Sequence, residues 1–136
     1  MSFQYNRIIR FADTDAAGVV YFARILSICH EAYEESLRQA KIDARAFFSQ
    51  GAIAVPITHT EADFRRPLMC GDGITVQLTP RQIASDSFEV EYQVQHEGKV
   101  AAIALTRHVC IDTATRQRHP LTSNLLQWLQ AIASRS

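Results

Sequence analysis

The sequence predicts an α+β fold, with one antiparallel sheet and its helices packed on one side. Two observations support this prediction. One long stretch near the N-terminus repeats its apolar residues at intervals of three and four, which is the period of an amphipathic helix. Four stretches after it alternate apolar and polar residues, as half-buried strands do. Because such a meander leaves one apolar face to cover, the long helix is the natural object for the sheet to wrap.

The first strand and the long helix occupy the N-terminal forty residues. Residues 3–12 form the predicted first strand, with four apolar residues and Arg7 on one parity: Phe3, Tyr5, Ile9 and Phe11. A DTDAAG turn follows, and a helix is predicted from about Val20 to Ala40. Its apolar face consists of Phe22, Ile25, Leu26, Cys29, Ala32, Tyr33, Ser36, Leu37 and Ala40.

The remaining elements are predicted from alternation and from turn residues. Residues 41–51 form a loop or short helix, and residues 53–64 form a strand in which Pro56 indicates an edge, a bulge or an irregular start. Three further strands carry alternating apolar residues: Ile74, Val76 and Leu78; Phe88, Val90, Tyr92 and Val94; and Ala101, Ile103, Leu105, Val109 and Ile111. A C-terminal helix follows Pro120, with Thr122 or Ser123 as its N-cap.

Length and composition narrow the class of protein. A chain of 136 residues suits one domain over residues 1–136, and a formal net charge of zero gives no reason to expect nucleic acid or an anionic membrane as partner. Three widely spaced cysteines without a Cys-x-x-Cys pair indicate reduced thiols in a cytoplasmic protein, with Cys29 in the core. We expect neither a signal peptide nor a membrane span, since no long apolar run occurs.

The segment before the long helix, Asp13-Thr14-Asp15-Ala16-Ala17-Gly18, has two interpretations. In the structural one, Asp and Thr oxygens accept hydrogen bonds from the free N–H groups of the first helical turn, and Gly18 provides a φ that other residues tolerate poorly. In the functional one, the same N–H groups and the helix dipole polarise a substrate carbonyl beside a carboxylate that attacks it or activates water. Local chemistry alone leaves both open.

The ten residues from Asp13 to Phe22 resemble the motif of the hotdog-fold acyl-CoA thioesterases of the 4-hydroxybenzoyl-CoA thioesterase family. They read Asp-Thr-Asp-Ala-Ala-Gly-Val-Val-Tyr-Phe, after a first strand and at the start of a long helix. The CHEAYEESL helix and the FRRPLMCGD strand end are also similar to family patterns, so the resemblance covers nearly the whole chain.

The resemblance implies a hotdog fold, in which an antiparallel sheet wraps a long central helix, and hydrolysis of an acyl-CoA thioester. It implies a homodimer, often paired again into a homotetramer, with active sites between subunits. Asp15 corresponds to the catalytic carboxylate, and the backbone N–H of Phe22 corresponds to the oxyanion donor. Asp13 matches a common family position and is interpreted as bracing the turn. We expect no cofactor and no metal.

Finer similarities concern the acyl group. Thioesterases found beside the Tol-Pal system usually read GVVYH, where this chain has Phe22. The segments ADTDAAGVVYF, CHEAYE and RHVCID are more similar to cyanobacterial and plastid-type 1,4-dihydroxy-2-naphthoyl-CoA hydrolases of phylloquinone biosynthesis, which implies an aromatic acyl group. Two alternatives remain open: a broader short-chain or 4-hydroxybenzoyl-type thioesterase, and a hotdog module that binds acyl ligands without turnover.

Other polar residues have ordinary interpretations beside functional ones. His30 is interpreted as a solvated or capping histidine, because no partner follows at metal-ligand spacing. His59 and Thr60 occupy either an ordinary strand position or a substrate contact near a neighbouring subunit's site. Arg65 and Arg66 form either a solvated turn or a phosphate-binding pair for CoA.

Overall fold

A computed structural model describes residues 2–49 and 51–134. The strands are β1 (Phe3–Ile8), β2 (Ile53–Ala54), β3 (Ile57–Phe64), β4 (Gly73–Ala84), β5 (Ser87–His96), β6 (Lys99–Val109) and β7 (Ile111–Asp112). The helices are α1 (Phe22–Gln39), α2 (Ala44–Ser49) and α3 (Ser123–Ala133), and a 3-10 turn covers Phe11–Asp13.

Five strands form one antiparallel sheet in the order β1-β4-β5-β6-β3, and β2 pairs with β7 in a separate two-stranded ladder. Helix α1 contacts β1, β4 and β6, so it lies across one face of the sheet, and α3 packs on β4. The predicted α+β class, with a sheet around a long helix, is confirmed.

Helix α1 forms because its apolar residues recur on one stripe that the sheet covers. Seven of its residues are buried: Ile25, Ile28, Cys29, Ala32, Tyr33, Ser36 and Leu37. The helix begins at Phe22, two residues later than predicted. Val19 and Val20 are held in isolated bridges with Met69 and Thr14, and the Val20 N–H donates to the Leu68 carbonyl, so these residues are extended rather than helical.

An aromatic cluster fills the core between α1, α3 and the sheet. His108 stacks on Phe88 with ring centroids 4.7 Å apart and planes 8° apart, and it lies 4.8 Å from the ring of Tyr33. Trp128 of α3 meets Phe88 at 5.2 Å and donates from Nε1 to Ser36 Oγ at 2.9 Å. This hydrogen bond joins the C-terminal helix to the central one, and it satisfies a buried indole N–H.

The buried face of β6 differs from the apolar parity in its sequence. The side chains that face the helices belong to Ala102, Ala104, Thr106 and His108, whereas Ile103 and Leu105 are only half-buried on the other face. A register shift between Val94 and Gln95 changes the pairing near the start of β6. Small residues fit this position because they leave room for the aromatic side chains opposite, such as Tyr92.

Two predicted strand boundaries are adjusted and one helix cap is confirmed. The first strand ends at Ile8 instead of residue 12. The predicted strand over residues 53–64 divides into β2 and β3 on either side of Pro56, which is the predicted irregularity. Thr122 is the N-cap of α3, and its side chain accepts from the Leu125 N–H.

Strand β3 is an edge of the five-stranded sheet, since its one neighbour there is β6. All its residues are exposed except Ala62, which is half-buried. An edge strand this long and open is a surface on which another strand can pair.

Candidate active site

Residues 14–20 form a small hairpin that presents Asp15. The Asp15 N–H donates to the Val19 carbonyl at 2.9 Å, and the Gly18 N–H donates to the Asp15 carbonyl at 2.9 Å. Gly18 has φ 84°, which confirms the predicted need for glycine. The Ala17 N–H donates to Asp15 Oδ1 at 2.9 Å, so one oxygen orients the carboxylate. Within residues 2–49 and 51–134, Asp15 Oδ2 has no hydrogen-bond partner.

Asp13 is buried, with 1% of its surface exposed, and it joins three parts of the chain. Its Oδ2 accepts the Arg10 N–H at 2.8 Å, its Oδ1 accepts Arg24 Nε at 2.8 Å, and Arg7 Nη1 lies 3.0 Å from Oδ2 as an ion pair without hydrogen-bond alignment. Desolvation would raise the pKa of Asp13, but these donors outweigh it and hold the pKa below its usual value. The interpretation that Asp13 braces the turn is confirmed.

The interpretation of these aspartates as caps of the long helix is wrong. The N-cap residue of α1 is Tyr21, which makes no capping side-chain bond. The Arg24 N–H donates to the Tyr21 carbonyl at 2.8 Å, but in the part of the chain that the structure describes, the N–H groups of Phe22 and Ala23 have no acceptor. Two amide donors at a positive helix end are therefore available to a ligand oxygen.

A cleft of about 480 Å³ brings the hairpin and the helix start together with the end of β3. Its walls are mostly apolar, as is usual for a site that binds a small organic group. The lining residues are Asp15, Val19, Val20, Tyr21, Phe22, Ile25, Phe64, Arg65, Arg66, Pro67, Leu68, Ala101 and Ala102.

Aromatic side chains form one wall of this cleft. Phe22 is 60% exposed and Phe64 is 53% exposed, and their rings meet edge to face at 6.5 Å. The Tyr21 ring lies 4.9 Å from that of Phe22. Phe64 is the lining residue that sequence reasoning missed as a functional one. Its position before Arg65-Arg66-Pro67 was the available signal, but only the fold places it beside Phe22.

Arg65 and Arg66 lie at this cleft, and their backbone N–H groups both donate to the Ala101 carbonyl, at 2.8 and 3.1 Å. The shared acceptor fixes the bend after β3, so both arginines leave the sheet beside the Asp15 cleft. Their basic pair is therefore close to the predicted catalytic carboxylate, although fifty residues separate them in sequence.

The histidines singled out in the sequence lie elsewhere. His30 Nδ1 lies 2.8 Å from Glu34 Oε2 one helical turn away, and His59 Nε2 lies 3.0 Å from Glu61 Oε1 on β3. Neither residue lines the cleft. Cys29 is fully buried as predicted, and burial raises the pKa of its thiol to about 12.

Among the residues that the structure describes, no three His, Cys, Asp or Glu side chains converge as metal ligands do. No helix in those same ranges is long and apolar enough to cross a membrane.

The family model described as Thioesterase-like superfamily matches residues 9–129, and the chain belongs to this family. The predicted hotdog fold and thioesterase relationship are thereby confirmed. A 1,4-dihydroxy-2-naphthoyl-CoA hydrolase of Gloeothece citriformis is 54% identical over 131 residues, which cover 94% of this chain and 92% of that protein. One of Nostoc punctiforme is 50% identical over 130 residues, covering 96% of this chain and 88% of that protein.

One solved structure with a similar fold carries the same substrate in its name as these relatives. The crystal structure of a 1,4-dihydroxy-2-naphthoyl-CoA thioesterase from Synechocystis has a TM-score of 0.93 and 35% sequence identity to this chain. The alignment covers 99% of this chain and 100% of the solved one. The fold of the solved structure thus extends over nearly the full length of this chain.

Proposed function

We propose that this chain is a thioesterase that hydrolyses an aromatic acyl-CoA. The best candidate is 1,4-dihydroxy-2-naphthoyl-CoA, cleaved to 1,4-dihydroxy-2-naphthoate and CoA in phylloquinone (vitamin K1) biosynthesis in the cytoplasm. One observation carries the proposal: an uncapped helix start, with the free amide of Phe22, opens on the same apolar cleft as an exposed carboxylate, Asp15. The names of the relatives support the choice of substrate.

The mechanism uses the electrostatics of the helix start. A thioester carbonyl is activated because sulfur donates poorly into it, so the protein needs to stabilise an oxyanion and supply an oxygen nucleophile. The Phe22 N–H, with the helix dipole, binds the carbonyl oxygen as negative charge develops on it. Asp15 either attacks the carbonyl carbon to give a mixed anhydride, which water then opens, or removes a proton from an attacking water.

The aromatic wall of the cleft supports an aromatic acyl group as the substrate's acyl part. A flat aromatic group binds more favourably when it packs against the face or edge of other aromatic rings. Phe22 and Phe64 are both more than half exposed, so they present such surfaces without a substrate bound. The histidine that the GVVYH subgroup has in place of Phe22 would add a polar group to this wall.

The nucleotide end of CoA has a basic partner at the cleft. Arg65 and Arg66 are two guanidinium groups at its rim, and guanidinium binds phosphate with two parallel hydrogen bonds. We assign them to the phosphates of CoA, which leaves the acyl group on the apolar side of the cleft.

The open edge of the sheet supports a proposal for the assembly. We propose a homodimer through β3, with a homotetramer formed as a pair of such dimers. The exposure of nearly all of β3 supports pairing with a second copy, because an unpaired edge that is neither short nor covered tends to recruit another strand. Phe64, at the end of β3, would place the acyl site beside the subunit boundary.

Asp15→Asn tests the catalytic assignment. Asn keeps the oxygen that accepts the Ala17 N–H, so the hairpin should persist, while the negative charge is lost. We expect turnover of naphthoyl-CoA, measured by thiol release, to fall by about 100- to 10,000-fold. Glu91→Gln is the matched control, since it neutralises an exposed carboxylate of β5 outside the cleft. Activity near that of the unaltered protein in Asp15→Asn would refute the assignment.

Two measurements separate the remaining alternatives. In single-turnover hydrolysis in ¹⁸O-labelled water, label in Asp15 indicates an anhydride that water opens at the aspartyl carbonyl, whereas label in the product carboxylate alone favours attack of water on the acyl carbon. A panel of naphthoyl-, benzoyl- and short-chain acyl-CoA tests the acyl group. A preference for the short chains would refute the naphthoyl assignment, and inertness toward the whole panel would favour a binding module.

A further inference from the structure

Asp13 is closely connected to the site yet contributes no atom to the cleft. Its carboxylate is held by the Arg10 N–H and Arg24 Nε, each at 2.8 Å, with Arg7 close by. None of these four residues lines the cleft that contains Asp15. A role for Asp13 in the reaction therefore has to act through the position of other groups.

The main chain of Asp13 supplies that connection. Its carbonyl accepts the Tyr21 N–H at 3.0 Å, and Tyr21 directly precedes the free amide of Phe22. In the other direction, Asp15 follows two residues later and is closed against Val19 by its own amide. Asp13 thus holds both sides of the hairpin from its base: the strand that leads to the carboxylate and the strand that leads to the helix start.

Arg24 ties this base to the helix itself. It lies on the first turn of α1, its Nε donates to Asp13 Oδ1, and its side chain is 41% exposed. Arg7, on β1, has a second carboxylate partner, because its Nε lies 3.1 Å from Glu31 Oε1, and Tyr5 donates to the same oxygen at 3.0 Å. Loss of Arg24 therefore removes the side-chain link from Asp13 to α1 and leaves the link from β1 to α1 in place.

We propose that Asp13 and Arg24 are positioning residues that set the distance between the Asp15 carboxylate and the Phe22 amide. This inference rests on the proposed function, in which those two groups act on one carbonyl. A hairpin base held through a buried carboxylate is stiff, because a carboxylate that is 1% exposed has little access to water that could replace a lost donor. Reaction rates depend steeply on such geometry, and a displacement of about 1 Å can cost about 100-fold.

Four variants test the proposal. Asp13→Asn keeps the shape of the side chain but places an NH₂ group against the Arg10 or Arg24 donor. Arg24→Met removes the guanidinium group, and Arg24→Lys restores a positively charged donor at the same position. Glu31→Gln is the matched control, since it weakens the other ion pair of Arg7 without touching Asp13. Each variant is assayed with 2-naphthoyl-CoA well below its unfolding temperature, and its free energy of unfolding is measured in urea.

Across the four variants, we expect the loss of kcat not to be proportional to the loss of unfolding free energy. Asp13→Asn and Arg24→Met should lower kcat by about 100-fold with KM changed little, because the geometry of attack is affected and the apolar cleft is not. Arg24→Lys should recover at least about 10-fold of that loss, and Glu31→Gln should stay within about 2-fold of the unaltered protein at comparable destabilisation. Equal kcat losses in Asp13→Asn and Glu31→Gln, or no recovery in Arg24→Lys, would overturn the proposal.

A readout without turnover keeps this test separate from the proposed function. Hydrogen exchange of the Tyr21 amide, followed by NMR, should accelerate in Asp13→Asn and Arg24→Met, because the main-chain carbonyl of residue 13 that accepts this N–H is then held less firmly. It should not change in Glu31→Gln. If the unaltered protein hydrolyses no acyl-CoA, the proposed function fails while the exchange data still decide the positioning. Unchanged exchange at Tyr21 in both variants would overturn it.

Discussion

His108 is a buried histidine whose protonation should make stability depend on pH. It is 1% exposed, stacked on Phe88, and its Nε2 lies 2.8 Å from Thr106 Oγ1, which in turn lies 3.1 Å from the Tyr92 hydroxyl. Burial, and secondarily the charge of His30, lowers the pKa of His108 from 6.5 to about 4. The folded protein therefore keeps this imidazole neutral at pH values where the unfolded chain protonates it.

The sign and size of the effect follow from proton linkage. Between about pH 6.5 and about pH 4 the unfolded state binds one more proton at this residue, so acid favours unfolding there. With a shift from 6.5 to about 4, the loss of unfolding free energy between about pH 7.5 and about pH 5 is about 2 kcal/mol. Asp13 and Glu89 have lowered pKa values, so their contributions are lost only at lower pH, below this window.

The assay is urea unfolding at about pH 7.5 and about pH 5, at one protein concentration, for the unaltered protein and for His108→Gln. Gln can still bond Thr106 but does not titrate, so the variant should be less stable at both pH values and should lose about 2 kcal/mol less between them. His96, whose pKa is raised mainly by its bond to the Gly73 carbonyl, is present in both proteins, and its opposite effect cancels. Equal pH dependence in the two proteins would refute the reasoning.

Three smaller perturbations test single features. Phe64→Ala should lower kcat/KM for 2-naphthoyl-CoA by about 10-fold and spare acetyl-CoA, because it removes one ring of the cleft wall; a parallel loss with both substrates would contradict this. Gly18→Ala should lower the free energy of unfolding in urea by about 1 kcal/mol and should lower turnover, because the φ of Gly18 is 84°. Space is not the cause, since an added Cβ meets no described atom within 4 Å. Gly73→Ala is the control that should retain activity, because Gly73 has equal space and no positive φ. Thr122→Ala should cost about 0.5 kcal/mol in the same assay, since its bond to the Leu125 N–H is long at 3.4 Å, and a cost above about 2 kcal/mol would mean that Thr122 does more than cap α3.

The elements that repeat a local pattern could be predicted from the sequence. Helix α1 follows from apolar spacing, the cap of α3 follows from Thr122 after Pro120, and the irregular start of β3 follows from Pro56. Each depends on contacts within a few residues, which the sequence displays directly.

The parts that depend on distant contacts could not be predicted. The buried parity of β6 depends on a register shift at which Val94 pairs with Ala102 and Gln95 pairs with Val100, so that β6 has one extra residue there. This parity runs against the apolar residues Ile103 and Leu105. The convergence of Phe64 with Phe22 depends on how β3 ends beside α1. One distant contact is visible in the sequence. Arg7 lies on the inward parity of β1, and a charge at such a position needs an oppositely charged partner, which is Asp13.

The uncapped start of α1 has a consequence for anyone who wishes to engineer this protein. Within residues 2–49 and 51–134, no protein acceptor meets the amides of Phe22 and Ala23. A capping side chain at position 21 would stabilise the protein because it would accept the Ala23 N–H, and its oxygen beside the Phe22 amide would compete with the thioester carbonyl for the helix start. Selection for heat resistance alone would thus enrich inactive variants, and a useful selection has to score turnover together with stability.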